Sequence, residues 1–204
     1  MQVNRDTLKD ITARAIVALL FVLLSANLLV EFARTWHLTG LMLLVNESLV
    51  VILTLVRRRA LTIDRSRMAS LVTFVSVFGP PLLRPTGDPL LPDPITAVVS
   101  LAGLTLVVAG KLTLGRSFGL VPANRGVVAD GPYSIVRHPI YAGYLITHVG
   151  FLAAHPDPLN IALVAAADTA LIFRALLEER VLGRDERYQV YCRRVSWHLV
   201  PGVF

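Results

Sequence analysis

Residues 94–114 read PITAVVSLAGLTLVVAGKLTL, 21 residues with one charge, Lys111, near the far end. A helix rises about 1.5 Å per residue, so about 20 such residues span a hydrocarbon core about 30 Å thick. The stretch predicts a membrane-spanning helix, and comparable apolar runs bounded by charge, Pro or Gly lie on both sides of it. They cover 14–34, 38–56, 68–84, 139–154 and 157–178. Only His155 and Pro156 separate the last two, and Pro156 and Pro158 break the helix between them. That pair is expected to form a helical hairpin whose shorter first arm is tilted or stops short of crossing. The fold class expected is therefore an all-α integral membrane protein with five to six transmembrane helices.

Composition supports this class. Hydrophobic residues make up 54% of the 204, charged residues only 17%, against about 25% charged in an ordinary soluble domain; the mean hydropathy is +0.63. Disorder, collagen and a disulfide-stapled fold are excluded, because apolar residues dominate, glycine shows no period and Cys192 is the single cysteine. The net charge of +6 would suggest nucleic acid only if the arginines formed one basic face. Instead they follow the expected topology: 18 of the 20 Lys and Arg fall on one side of the membrane. The positive-inside rule then puts both termini in the cytoplasm. No nucleic-acid partner is expected, and membrane lipids are. The first apolar run is long and ends in no small-residue cleavage pattern, so it reads as a retained anchor. Arginine outnumbers lysine 18 to 2, which points to a prokaryotic cell membrane.

Polar residues inside spans are expensive and mark candidates for function: Asn27, Glu31, Asn46, Glu47, Asp168 and Arg174. Asn46 and Glu47 either line a cavity or join helices by hydrogen bonds. Asp168 either pairs with a basic residue or relays protons. Small residues on the fourth run, Ala102, Gly103, Ala109 and Gly110, favour helix contact within one chain or between two, so the oligomeric state is not readable.

The densest cluster of special residues is Gly115–Tyr144, GRSFGLVPANRGVVADGPYSIVRHPIYAGY. Gly119, Gly126 and Gly131 allow backbone conformations closed to other residues, and Pro132 and Pro139 fix φ, so a shaped cytoplasmic loop is expected. Pro139 suits the first position of a helix. Arg137 and His138 would then sit at the positive end of its dipole, where a cation is unfavourable. They are either functional or plain topology determinants. A second cluster ends the sixth run: Arg174, Glu178, Glu179 and Arg180, then Tyr188, Tyr191 and Val200-Pro201-Gly202. Arg174 and Glu178 share a helix face and can form an i,i+4 ion pair. Two glutamates at a helix C-terminus oppose the dipole and point to a cationic or hydroxyl-bearing partner. From Gly183 the tail is amphipathic and is expected on the anionic leaflet, with aromatic anchors.

At these two clusters the chain resembles the isoprenylcysteine carboxyl methyltransferase family, including its prokaryotic relatives and the related phospholipid methyltransferases. The resemblance rests on Gly131-x-Tyr133, Arg137-His138-Pro139-x-Tyr141-x-Gly143, Glu178-Glu179, Tyr188-x-x-Tyr191 and Pro201-Gly202, in the family's order. It covers about residues 100–204. Residues 1–93 match only in being hydrophobic, within a single membrane domain whose 94–204 part is the methyltransferase-like region.

The resemblance implies an integral membrane enzyme that methylates a lipophilic small-molecule or lipid-linked acceptor with S-adenosylmethionine. The cofactor contacts implied are Arg125, Gly126, Val127 and Val128 through their backbone, then Tyr133, His138, Pro139, Ile140, Tyr141 and Glu178. Arg174 takes the acceptor-side role, holding a carboxylate, and no metal is implied. The sequence itself agrees that no Rossmann fingerprint follows a strand. An ionised carboxylate needs no base, whereas an amine or thiol must lose a proton to a group such as His138 or Glu179. Two other readings stand beside this one: a membrane lipid reductase using NADPH, and a small transporter with Glu31, Glu47, Asp168 and Arg174 as its polar path.

Overall fold

The computed structural model describes residues 5–35 and 38–204, and Asn27 and Glu31 fall outside the residues whose side chains it describes. The helices are α1 (Arg5–Thr35), α2 (Leu38–Val56), α3 (Arg67–Phe78), α4 (Asp93–Leu114), α5 (Pro139–Ala154), α6 (Pro158–Leu182) and α7 (Glu186–Arg194). Among the described residues, two helices are long and apolar enough to cross a membrane, Asp93–Ser117 and Pro158–Leu182. Three shorter apolar helical segments accompany them, Arg14–Leu23, Leu41–Val56 and Pro139–Ala154.

The third run departs from expectation. It was expected to be helical over 68–84, yet α3 has 12 residues, about 18 Å at 1.5 Å per residue, so the helix alone does not cover a hydrocarbon core about 30 Å thick. Pro80 and Pro81 lack the N–H groups that would extend it, and the chain tightens into a 3-10 turn over Pro80–Leu82. The purely α expectation also gains an exception, because Thr62–Ile63 (β1) pairs antiparallel with Ala123–Asn124 (β2). This short ladder fastens the α2–α3 connection to the glycine-rich loop, with Leu61 N donating to Asn124 O and Asp64 N to Pro122 O.

α5 and α6 follow one another through a three-residue break, yet α5 packs far more extensively on α4 than on α6. The reason is close backbone approach. A Cβ on Gly103 would stand 2.6 Å from the Gly143 carbonyl and against Thr147 Oγ1, and one on Gly143 would stand 2.7 Å from the Gly103 carbonyl. Gly103, and Gly110 against Ile140, thus serve a contact within one chain, whereas Ala102 is exposed. Elsewhere α1 lies on α2, α2 on α4 and α3 on α6.

The end of the helices remote from the glycine-rich loop is tied by Asn160, fully buried. Its Oδ1 accepts from Arg84 N at 3.0 Å, and its Nδ2 donates to Arg84 O at 2.7 Å and His155 O at 3.1 Å. At the loop end the tail folds back. Tyr188, Tyr191 and Val195 pack against Val127 and Ala129, while Arg137 N and His138 N donate to the carbonyls of Trp197 and His198. The tail is amphipathic as expected, with Arg187, Arg193 and Arg194 exposed. Its tyrosines, however, are buried in the protein and do not act as membrane anchors.

Candidate active site

The loop leaves α4 and turns at Gly126 (φ 104°) and Gly131 (φ 54°), both in the left-handed region that favours glycine. Gly119 is needed for space instead, since the Arg125 guanidinium lies on its Cα where a Cβ would stand. Asn124 orders the next turn: its Oδ1 accepts from Gly126 N at 2.9 Å and its Nδ2 donates to Asp185 Oδ2 at 3.0 Å. Asp185 caps α7 by accepting from Arg187 N. The Asn124 amide, followed by the Arg187 N–H, holds the Asp185 carboxyl below its usual value.

One cavity opens among this loop, α5, α6 and α7. Arg125, Gly126, Val127, Val128, Tyr133, His138, Ile140, Tyr141, Arg174 and Glu178 all line it. Pro139 and Glu179 do not. Pro139 is fully buried as the first residue of α5, with His138 as its N-cap. Burial first, and Glu178 second, push the Tyr133 phenol well up, so it stays a neutral hydrogen-bonding group.

The two glutamates ending α6 find the hydroxyl and cationic partners that their position called for, and both partners belong to the chain. Glu178 Oε2 accepts from Tyr141 Oη at 2.7 Å. Glu179 Oε1 meets His138 Nε2 at 2.9 Å and His198 Nδ1 at 2.6 Å, and its Oε2 accepts from Arg137 Nη1 at 3.1 Å. Glu179 thereby offsets the unfavourable dipole beneath Arg137 and His138 and joins α5, α6 and the tail. The His138 ring stacks on Tyr141, with centroids 5.3 Å apart and planes 1° from parallel.

Arg174 makes no ion pair with Glu178, nor with any other carboxylate among the described residues. Its guanidinium is 5% exposed and reaches Ser76 Oγ at 3.5 Å and Gly119 O at 3.4 Å, both long. It faces the Tyr141 ring at 5.2 Å, and its buried Nε has no partner. A buried cation so weakly satisfied is costly, and the cavity it lines is where an anion would relieve it.

Two polar residues, Lys111 and His148, escaped the sequence reading or changed role. Lys111, one of the 18 cations assigned to one side of the membrane, is fully buried in α4. Its Nζ donates to Asn46 Oδ1 at 2.8 Å and Asn46 O at 3.2 Å, and lies 5.7 Å from the Phe118 and Tyr144 rings. As the one charge in a 21-residue apolar run it was the signal available. Asn46 therefore joins helices, while Glu47 lines the cavity. His148, also lining the cavity, was overlooked; the spacing Tyr141, Tyr144, His148 puts all three on one helix face. Its Nδ1 lies 2.6 Å from Asp168 Oδ1, so Asp168 takes the paired alternative.

The sequence profile of the isoprenylcysteine carboxyl methyltransferase family matches residues 95–184. The likeness covers a little under half of the chain. Protein-S-isoprenylcysteine O-methyltransferase B of Arabidopsis thaliana is 32% identical over 112 residues, covering 48% of this chain and 57% of the relative. Cobalt-zinc-cadmium resistance protein CzcN of Cupriavidus metallidurans is 30% identical over 110 residues, 50% of this chain and 48% of the relative. Nickel-cobalt-cadmium resistance protein NccN of Alcaligenes xylosoxydans xylosoxydans is 29% identical over 99 residues, 47% of this chain and 46% of the relative. The chain spans about half the length of these curated relatives. The methyltransferase-family stretch contains α4, the loop, α5 and α6. Beyond it lie Tyr188 and Tyr191, which complete the cavity wall.

Proposed function

We propose that the protein is a multi-pass membrane methyltransferase that uses S-adenosylmethionine to methylate the carboxylate of a lipophilic acceptor. The observation that carries this reading is the buried Arg174 guanidinium, which has no carboxylate partner among the described residues and shares a cavity with the family's cofactor motif. The residues present fit both ligands. Glu178 Oε1 makes no hydrogen bond among the described residues and can accept from a ribose hydroxyl or an ammonium. Tyr133 and Tyr141 offer ring faces to a sulfonium, an attraction worth about 0.5–2 kcal/mol. The backbone of Arg125 to Val128 offers polar groups along the cavity wall.

When bound, S-adenosylmethionine supplies a methyl group on a cationic sulfur, and its displacement neutralises that charge. The protein's part is alignment and exclusion of water. Arg174 holds the acceptor carboxylate, Tyr141 fixes Glu178 by its 2.7 Å hydrogen bond, and the apolar walls at Leu114, Leu120 and Leu171 exclude solvent. A carboxylate acceptor is already ionised, so no proton is removed. Glu179 is bound to the Arg137 guanidinium and to the His138 and His198 rings and acts as a positioning residue for His138, not as a base. An N-terminal side rich in apolar helices gives a lipophilic acceptor access from the bilayer.

The test is thermal stabilisation of the detergent-purified protein by S-adenosylmethionine and S-adenosylhomocysteine, beside NADPH, followed by labelled-methyl transfer into lipid extracts. A ligand that binds only the folded state raises the melting temperature. Stabilisation by the two sulfur ligands is expected in wild type and lost in Glu178→Ala. Stabilisation by NADPH alone would overturn the reading in favour of a reductase.

A further inference from the structure

The cavity does not end at Arg174. Its inner part, on the side of α2 and the middle of α5, is walled by apolar side chains such as Phe21 and Val50 but includes Glu47 and His148. Glu47 uses one oxygen, Oε1, to accept from Asn46 Nδ2 at 2.8 Å, whereas its Oε2 is buried without a partner. Lys111 Nζ spends two of its three N–H groups on Asn46 and makes no hydrogen bond to that oxygen. His148 is 6% exposed and its Nδ1 is taken by Asp168. With Nδ1 at Asp168, Nε2 is the polar atom the ring has left, and it has no hydrogen bond among the described residues.

These groups form a continuous band. Asn46 joins Glu47 to Lys111, the Lys111 ammonium lies 5.7 Å from the Tyr144 ring, and Tyr144 stacks on His148 at 6.5 Å. Glu47 Oε2, buried without a donor among the described residues in an otherwise apolar chamber, is an expensive arrangement unless something donates to it, and His148 lines the same cavity. Seven residues separate His148 from Tyr141, about 10 Å along the helix.

Resting on the methyltransferase reading, we propose that Glu47 and His148 form a second polar subsite that receives a hydrogen-bond donor of the acceptor, a hydroxyl or an ammonium, about 10 Å from the carboxylate held by Arg174. The acceptor is then an amphiphile polar at both ends, and a plain hydrocarbon tail is disfavoured. Glu47 and His148 set specificity; neither takes part in methyl transfer.

The probes are octylthioacetate and its ω-hydroxy and ω-amino analogues, titrated against wild type, Glu47→Gln and His148→Phe in detergent, with and without S-adenosylhomocysteine. His148→Phe keeps a ring to stack on Tyr144. Wild type is expected to bind at least one donor-bearing probe about fivefold more tightly than the methyl-terminated one, the worth of one net hydrogen bond. The preference is expected to vanish in each variant while the affinity for S-adenosylhomocysteine stays unchanged. Comparison across variants cancels partition of each probe into micelles. Hydroxyl preference alone identifies a neutral donor, and stronger amine preference a cationic one. Equal binding of all three probes by wild type overturns the subsite, even if a variant fails to fold, as does a preference that survives both substitutions. Failure of wild type to bind S-adenosylhomocysteine overturns the methyltransferase reading instead, and the ω-group preference measured without it still decides the subsite.

Discussion

Arg174 and Glu178 share a helix face and could have neutralised each other; they do not. Tyr141 takes Glu178 and leaves the guanidinium facing the cavity. Arg174→Lys keeps the charge but loses the planar fork that holds a carboxylate at two points. The expected result is a rise of about tenfold in acceptor KM, with the affinity for S-adenosylhomocysteine unchanged; a change confined to cofactor affinity would move Arg174 to the cofactor side. Cys192 makes a second test at this scale. Burial, its largest influence, pushes the thiol up, against Arg137, which pulls it down. The thiolate is therefore scarce at neutral pH, and iodoacetamide should label native Cys192 far more slowly than the same residue in denaturant. Labelling should accelerate as pH rises towards the elevated pKa. The types and order of the site residues were legible in the sequence. Which of them would satisfy one another was not, because a hydrogen bond between Tyr141 and Glu178 depends on how α5 meets α6.

At the scale of elements, two contacts carry the site. The first is the approach of α4 and α5 at Gly103 and Gly143, closer than any side chain allows. Gly103→Val should destabilise the folded protein by about 2–3 kcal/mol through overpacking, lowering the melting temperature. Ala102→Val, at the exposed neighbour on the same helix, should leave it nearly unchanged. The second contact is the Glu179 junction, where one carboxylate binds Arg137, His138 and His198. Glu179→Ala leaves the Arg137 guanidinium unneutralised and the His138 ring without its partner beside a helix N-terminus and frees the tail. Trypsin should then cut at Arg193 or Arg194 several-fold faster than in wild type, and cofactor affinity should fall although Glu179 lines no part of the cavity. The starts of α5 and α6 were legible because Pro139 and Pro158 stand at first-turn positions. The early end of α3 was equally available in Pro80 and Pro81, but the apolar run continued past them and masked the break.

Across the whole molecule, the cavity lies between the shaped loop and the apolar helices, and the proposed function has a polar cofactor and a lipophilic acceptor approach it from different phases. The short ladder holds the α2–α3 connection and the glycine-rich loop at one end of the helices, whereas Arg84, in the Leu83–Pro92 connection, bonds Asn160 at the other; the proposal sets these two ends on opposite sides of the membrane. Single cysteines at Arg59 and Asp88, both exposed, placed in a Cys192→Ser background, should react with an impermeant maleimide from opposite faces of sealed vesicles. Labelling from the same face would refute the topology.

The sequence by itself determined most of the helices, the proline-marked starts of α5 and α6, the loop between α4 and α5, and the likeness of residues 95–184 to a methyltransferase family. These follow from hydropathy, proline, glycine and motif order, which act over a few residues. Tertiary structure alone decided that α5 packs on α4, that the tail's tyrosines wall the cavity, and that Lys111 is buried on Asn46. It alone decided, too, which polar atoms remain unsatisfied. Those outcomes turn on contacts between residues as far apart in the chain as Asn46 and Lys111, where burial removes water and leaves each polar atom to the neighbour that geometry supplies.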